Sequence, residues 1–307
     1  MAAPSTDDST SAPTTAPTTA PADAAALAQR LEPLHSMIYF VPEVGEELAE
    51  LGITRGADQY FAQRAAPMGP VGPGVVTATF FNFNPARVAR SVPGVWSLAA
   101  PADVVNARLR AADRALRRLL GDAASSAAVT RASELLRKAC EGATPEDRPL
   151  YAAHADLPWP EEPHLALWHG VTLLREHRGD AHLHALVSAG LSGLEALITH
   201  VATGRGFTVE FAQRNRGWSP EQWADASAGL AERGLLDGDG ALTEAGTALR
   251  AEVEDHTTRM SLGPWRHLGA EGTAELAETS RPLSKAVLPA FAVEGAFAPR
   301  SPRAGQG

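Results

Sequence analysis

The sequence predicts a mostly α-helical protein, with a helical N-terminal domain followed by a second helical unit closed by one very short hairpin. Three observations predict it. Alanine and leucine are abundant while aromatic residues make up only 6% of the chain, a balance that favours helix. Apolar residues recur at helical spacing through most segments. The only hairpin signal is Asp237-Gly238-Asp239-Gly240, between short apolar arms.

Composition bounds the rest. A chain of 307 residues can bury one large or two ordinary cores. A net charge of −9 argues against an extended basic face but allows a local basic patch. Cys140 is the single cysteine, which excludes an internal disulfide and a cysteine zinc cluster; its helical surroundings make it a packed thiol. No apolar run reaches the roughly 20 residues of a membrane span. Residues 1–22 repeat a Pro-Thr-Ala theme and cannot bury enough surface to offset chain entropy; they read as a disordered tail, not a signal peptide, and residues 299–307 read the same way. A cytoplasmic protein that does not engage a membrane follows as the expectation.

The N-terminal domain, residues 23–160, opens at Asp23, a plausible N-cap, for a helix that Pro33 ends. His35 and Tyr39, four apart, share a helical face. Pro42 starts a helix with Glu43, Glu46 and Glu47 in its first turns, as the helix dipole favours, and Gly52 stops it. Tyr60, Phe61 and Arg64 sit on a short helix at 58–66. Residues 67–74 are a helix-free connector. Residues 75–83 suit either a strand or a buried helix. Asn84-Pro85 has the form of a cap and first turn. A long helix at 102–120 carries Arg110, Arg114, Arg117 and Arg118 on one side, either a solvated face or a site for an acidic ligand. A further helix spans 127–140, and a proline-punctuated connector spans 145–160.

The central stretch, Glu161 to Gly204, holds six of the ten histidines. It reads as two helices broken at Arg178-Gly179-Asp180, with Asp180 capping the second and Gly190 and Gly193 inside it. On the first, His169, Thr172 and Glu176 fall at i, i+3 and i+7 and share a face, flanked by Trp168. His182 returns over the break. Imidazoles with a carboxylate are common ligands of zinc and iron, so His169, Glu176 and His182 admit a three-ligand metal site or a haem. They equally admit an organic ligand pocket, which His35, Tyr39 and Arg64 would join, or a hydrogen-bonded helical core. The cofactor is left open, as is whether the protein is an enzyme.

Leu191 to Arg259 reads as helix, helix, helix, short turn, helix, and 261–298 mixes short apolar runs with prolines. Residues 207–215 form the short second helix. Ser219-Pro220-Glu221-Gln222 opens the third with a serine cap, proline at the first position and a capping box, and Trp223, Ala226 and Leu230 give its apolar stripe. Thr243 caps the fourth, and a helix near 272–279 packs back on the body. On AERGLL, DGDG and LTEAG the chain resembles winged-helix regulators of the MarR-like type. On EPLHSMIYF, YFAQRAAPMGPV, FFNFNPARVARSVPGVW and LALWHGVTLLREHRGDAHLHALVSAGLSGLEAL it is similar to an actinobacterial helix-turn-helix family termed SalK-like or MarR-like. The resemblance implies a winged-helix (helix-turn-helix) unit with a very short wing, sharing its first helix with the histidine-rich stretch. Between Leu186 and Met260, however, eleven acids stand against six arginines. DNA affinity draws on cations neutralising phosphates, so this surface disfavours DNA, unless a homo-oligomer gathers Arg205, Arg214 and Arg216 at a groove. The expectation is a ligand-responsive regulator holding a small molecule near the central helices, or else a metal-, haem- or small-molecule-dependent enzyme or binding protein on the same scaffold without DNA.

Overall fold

The computed structural model describes residues 19–293 and 295–297. The expected tails at 1–18 and 299–307 lie outside the described residues. The fold is mostly helical, as composition predicts. Among the described residues there is no strand, only isolated bridges pairing Phe207 with Phe297 and Leu236 with Leu242. No single helix there is long and apolar enough to cross a membrane.

The first helices follow their local signals, with three departures. α1 (Pro21–Ser36) starts before Asp23 and runs through Pro33. Leu31, Leu34 and His35 are buried on both sides of that proline, and their packing outweighs the one backbone hydrogen bond that proline removes. Residues 19–22, assigned to the disordered tail, are instead anchored: Thr19 is buried and its hydroxyl donates to the Trp265 carbonyl at 2.8 Å. Residues 75–80 resolve as helix, in α4 (Pro73–Phe80). α2 (Pro42–Glu50) and α3 (Gly56–Ala65) precede it. α5 (Pro85–Ala89) follows, with Asn84 Oδ1 accepting from the Ala86 amide at 2.9 Å.

α6 (Pro101–Leu120) and α7 (Ala127–Cys140) match the expected amphipathic helices. The arginine face of α6 is occupied by protein. Arg110 and Arg114 donate to Glu47, Arg114 also to Glu46, and Arg118 grips Glu43 through two bonds of 2.6 and 3.0 Å. These pairs fasten α2 to α6, so the acidic partners come from the chain itself. The connector at 145–160 contains a helix, α8 (Pro149–Ala155).

The central helix, α9 (Pro163–Ser188), is unbroken. The expected interruption at Arg178-Gly179-Asp180 does not occur. A glycine inside a helix costs about 1 kcal/mol, and the neighbouring contacts exceed that. Arg178 donates to Glu254 at 2.6 Å, and Asp180 Oδ2 accepts from the Leu150 and Tyr151 amides. Asp180 therefore caps α8 instead of its own helix. The helix stops at Gly190, whose φ of +68° is readily available only to glycine. Gly190 thus lies at the junction between two helices, and Gly193 is the first residue of the second. After a bend of 101°, α10 (Gly193–Val201) begins on the Ser192–Glu195 capping box.

Thr208 caps α11 (Val209–Arg216), Gly217 turns the chain with φ +78°, and the expected Ser219–Gln222 capping box opens α12 (Pro220–Glu232). Thr243 caps α13 (Glu244–Met260). α14 (Gly263–Ala286) is far longer than the turn of helix expected near 272–279, and kinks at Gly269.

Two apolar cores result. The first joins residues of α1 to α7 with the N-terminal half of α9 and with Trp265, Leu268, Leu276 and Leu283 of α14. The second holds the end of α9 with α10 to α13, including Leu197, Trp223 and Leu230. The boundary between cores therefore does not fall at residue 160. α9 crosses it, and α14 returns to the first core. Buried on nearly every side, α9 lacks the polar stripe of a surface helix.

Candidate functional site

A cavity of about 930 Å³ lies where the two cores meet, near the upper end of the size range of ligand pockets. α9 supplies one wall with Arg175, Glu176 and His182. α3 contributes Tyr60 and Arg64, and Tyr39 follows α1. Phe80, Leu197, Phe207 and Phe297 add apolar surface to the lining.

The polar wall centres on Glu176, which is 1% exposed. Its Oε2 accepts from Arg175 Nη1 at 2.7 Å and lies 3.6 Å from Arg64 Nη2. Its Oε1 has no hydrogen-bond partner. Burial alone would raise the Glu176 pKa, but the guanidinium groups of Arg175 and Arg64 outweigh it and hold the carboxyl far below the usual carboxylate range. His35 Nε2 stands 3.8 Å from Oε1. Burial, reinforced by Arg175, pulls the His35 pKa well below its ordinary value, so near neutral pH this contact involves an uncharged imidazole. His35 instead bonds Tyr39 Oη at 3.1 Å and Thr172 Oγ1 at 3.0 Å.

Arg64 is fixed by its surroundings. Its guanidinium lies 4.3 Å over the Phe80 ring and donates to Tyr60 Oη at 3.3 Å, while its buried Nε has no partner. Arg216, the last residue of α11, reaches the cavity from the other side. It stacks 4.3 Å over Phe83, and its Nε donates to Asn82 Oδ1 at 3.1 Å. For Tyr60, burial alone would raise the phenol pKa, yet Arg64 and Arg216 bring it below its ordinary value. With Arg64, Arg175, Arg178, Arg216 and Arg250 against Glu32, Glu176 and Asp180, the lining carries an excess of positive charge.

Of the residues expected from sequence, Tyr39, Arg64, Glu176 and His182 line the cavity. His35 and Thr172 form a supporting layer behind Tyr39 and Glu176. Trp168 and His169 lie elsewhere: Trp168 sits 4.8 Å under Arg108, and His169 meets the edge of Trp159 at 4.8 Å. The shared face of His169 and Glu176 was legible, but seven residues of helix separate them by about 10 Å along the axis.

His182 does not fold back over a break either. On the continuous helix it stands about 9 Å beyond Glu176, bonded to Thr257 Oγ1 at 2.9 Å. The three-ligand set of His169, Glu176 and His182 is thus not assembled. Among the described residues no group of three His, Cys, Asp or Glu is placed to hold a metal ion. Cys140 is a packed thiol, its pKa pushed up to about 12 by burial.

Sequence reasoning missed Arg175, Tyr60 and Arg216 as cavity residues. Arg175 adjoins Glu176 but points away from it on a helical wheel, and Arg216 carried only the signal of one more cation in a helix-turn-helix.

A family model described as a helix-turn-helix family matches residues 24–294. The chain belongs to this helix-turn-helix family. No curated protein and no solved structure gives a significant match. The matched residues span both cores and all of the cavity lining but Phe297. The pair α11–α12 abuts the N-terminal body there: the Asn84 amide donates to the Arg216 carbonyl at 2.9 Å, and Asn84 Nδ2 to Gln222 Oε1 at 3.2 Å.

Proposed function

We propose that this protein is a ligand-responsive, DNA-binding regulator, in which a small molecule held beside the central helix sets the position of a winged-helix unit. The observation that carries the reading is the placement of the cavity. Its walls come from α3 and α9 on one side and from α10 and α11 on the other. An occupant that spans the cavity would touch the body and the helix-turn-helix unit together, and would favour one arrangement of the two through differential contacts. Membership of the helix-turn-helix family supports the DNA role. The order α10, α11, α12, a tight turn closed by the Leu236–Leu242 bridge, then α13, supports a winged unit with a very short wing.

A gel-shift assay with the full chain and the DNA upstream of its own gene, at about 50 mM salt where phosphate contacts are strong, tests this. The expected result is a retarded complex that weakens as salt rises. No complex at any protein concentration up to the micromolar range removes the DNA role.

A second reading keeps the pocket and drops the DNA: a small-molecule-dependent enzyme or binding protein on this scaffold. The surface of α12 favours it. Glu221, Asp225 and Glu232 are exposed there, and Arg233 just beyond is tied to Glu195 at 2.8 Å. An absorption spectrum and metal analysis of freshly purified protein address the cofactor versions of this reading. A chromophore or stoichiometric metal would support it.

A further inference from the structure

We propose that the cavity takes an organic anion: an apolar body bearing one carboxylate, sulfate or phosphate, its charged head held jointly by Arg64, Arg175 and Arg216. This inference rests on the ligand-binding reading above and adds the class of ligand and the residue that couples it to the helix-turn-helix.

Charge balance within the wall leads to it. Arg178 and Arg250 also face the cavity, but both are committed to Glu254, at 2.6 and 3.4 Å. Asp180 is committed to two backbone amides. That leaves Arg64 and Arg175 sharing the carboxylate of Glu176, and Arg216 lining the same cavity with no carboxylate paired to it among the described residues. Glu32 adds only a half-exposed contact 3.8 Å from Arg175. Arg64 is buried while Arg175 and Arg216 are partly exposed, and these guanidinium groups outnumber the carboxylates left to offset them, so the lining keeps an excess of positive charge that an anion would balance.

The donors are also free to give. Arg64 Nε is buried without a partner. Among the described residues, the Arg216 side chain is hydrogen-bonded only through Nε, which leaves its terminal nitrogens for an oxyanion, the partner for which a guanidinium is suited. Leu197, Phe207 and Phe297 in the same lining supply apolar surface for the body of such a ligand.

Arg216 ends α11, and its carbonyl accepts from the Asn84 amide at 2.9 Å. A head group bridging Arg216 to Arg64 and Arg175 would clamp α11 against the body, one turn before α12 begins.

The test is a fluorescence titration of the full chain with two probes of the same apolar shape: anilinonaphthalene sulfonate and neutral phenylnaphthylamine. The sulfonate is expected to bind at least about tenfold more tightly, a difference of roughly 1.4 kcal/mol. Arg216→Gln should remove most of that preference. Displacement of the sulfonate by octanoate or octyl phosphate, with octanol inactive, separates carboxylate from phosphate as the preferred head. Equal affinity for the two probes in the unaltered protein, or octanol competing as well as octanoate, overturns the anion inference while the pocket reading stands. If neither probe binds, the pocket reading itself falls. The comparison on the unaltered protein needs no variant, and circular dichroism confirms that Arg216→Gln is folded.

Discussion

Arg175 Nη1 donates to Glu176 Oε2 across 2.7 Å, although the two residues are consecutive on one helix. Neighbours at i and i+1 point about 100° apart, so the arginine must bend back along the helix to reach its partner. The bend gives the buried Oε2 its one hydrogen bond, since Arg64 stands 3.6 Å away and the uncharged His35 faces the other oxygen. The carboxylate is thus the hub on which two guanidinium groups depend.

Removing that hub is expected to be costly. Glu176→Gln leaves Arg64 buried beside an amide, and loss of one partner from a buried ion pair typically costs about 3–5 kcal/mol. Arg175 is partly exposed and can turn to solvent, so the lower end applies. Urea denaturation followed by circular dichroism would show this as a lower midpoint at unchanged slope. A loss below about 1 kcal/mol, the size of a surface pair, would mean that Glu176 is not the hub described.

Acid should unfold the protein through its histidines. Burial pushes His154 down to about 3, His169 to about 4 and His177 to about 3. In the unfolded chain each takes up a proton near its ordinary pKa of about 6.5. Their folded values are lowered, so the stability they contribute is complete above about pH 6.5 and is lost as pH falls toward 3–4. At pH 5 the loss is about 2 kcal/mol for each such histidine. Urea midpoints at pH 7.5, 6 and 5 should fall steadily. Flat stability across that range would contradict the burial of these rings.

Asp180 runs in the opposite sense. Its pKa is raised to about 6, chiefly by burial, with the backbone bonds to Tyr151 and Leu150 opposing. The folded state holds this proton more tightly than the unfolded chain, so the contribution is full below about pH 4 and fades as pH rises through 6. Asp180→Asn keeps an acceptor for the two amides and removes the titration. The variant should therefore gain stability relative to the parent between pH 5 and 7.5, measured by the same denaturation series. An identical pH dependence in variant and parent would exclude Asp180 as a contributor.

Gly193 is a packing requirement. A Cβ there would come within 2.0 Å of the Phe81 carbonyl oxygen, a backbone atom. Phe81 is already held at φ +53°, a conformation that L residues rarely adopt. Gly193→Ala must push α10 away from the end of α4, at a cost of about 1–3 kcal/mol by analogy with overpacked cores, and should raise protease sensitivity at residues 81–84. A neutral Gly193→Ala would show that this approach is looser than described.

Asn84 joins two functions in one side chain. Its Oδ1 caps α5 and its Nδ2 donates to Gln222 at the start of α12. Asn84→Ala should cost about 1 kcal/mol for the lost cap and quicken amide exchange in the first turn of α12. Asn84→Asp keeps the cap but loses the donor, so it should retain most of the stability and still show the faster exchange. Exchange unchanged in both variants would mean that this bond does not steady α12.

Local chemistry determined much of the fold from sequence alone: Pro42, Asn84-Pro85, Ser219-Pro220 and Thr243 each start a helix where their caps and fixed φ demand, and 127–140 matches its apolar period. A shared face for His169, Thr172 and Glu176, and a pairing of His35 with Tyr39, were also readable, because helical spacing fixes direction. Tertiary structure alone decided where along those faces the groups meet. Gly179 and Pro33 signal breaks worth a few kcal/mol at most, and burial on both sides overrides them, carrying α9 straight through and leaving His182 far from Glu176. Arg64, Arg175 and Arg216 converge from α3, α9 and α11 because two cores pack across one helix, and no spacing within a single segment records that meeting.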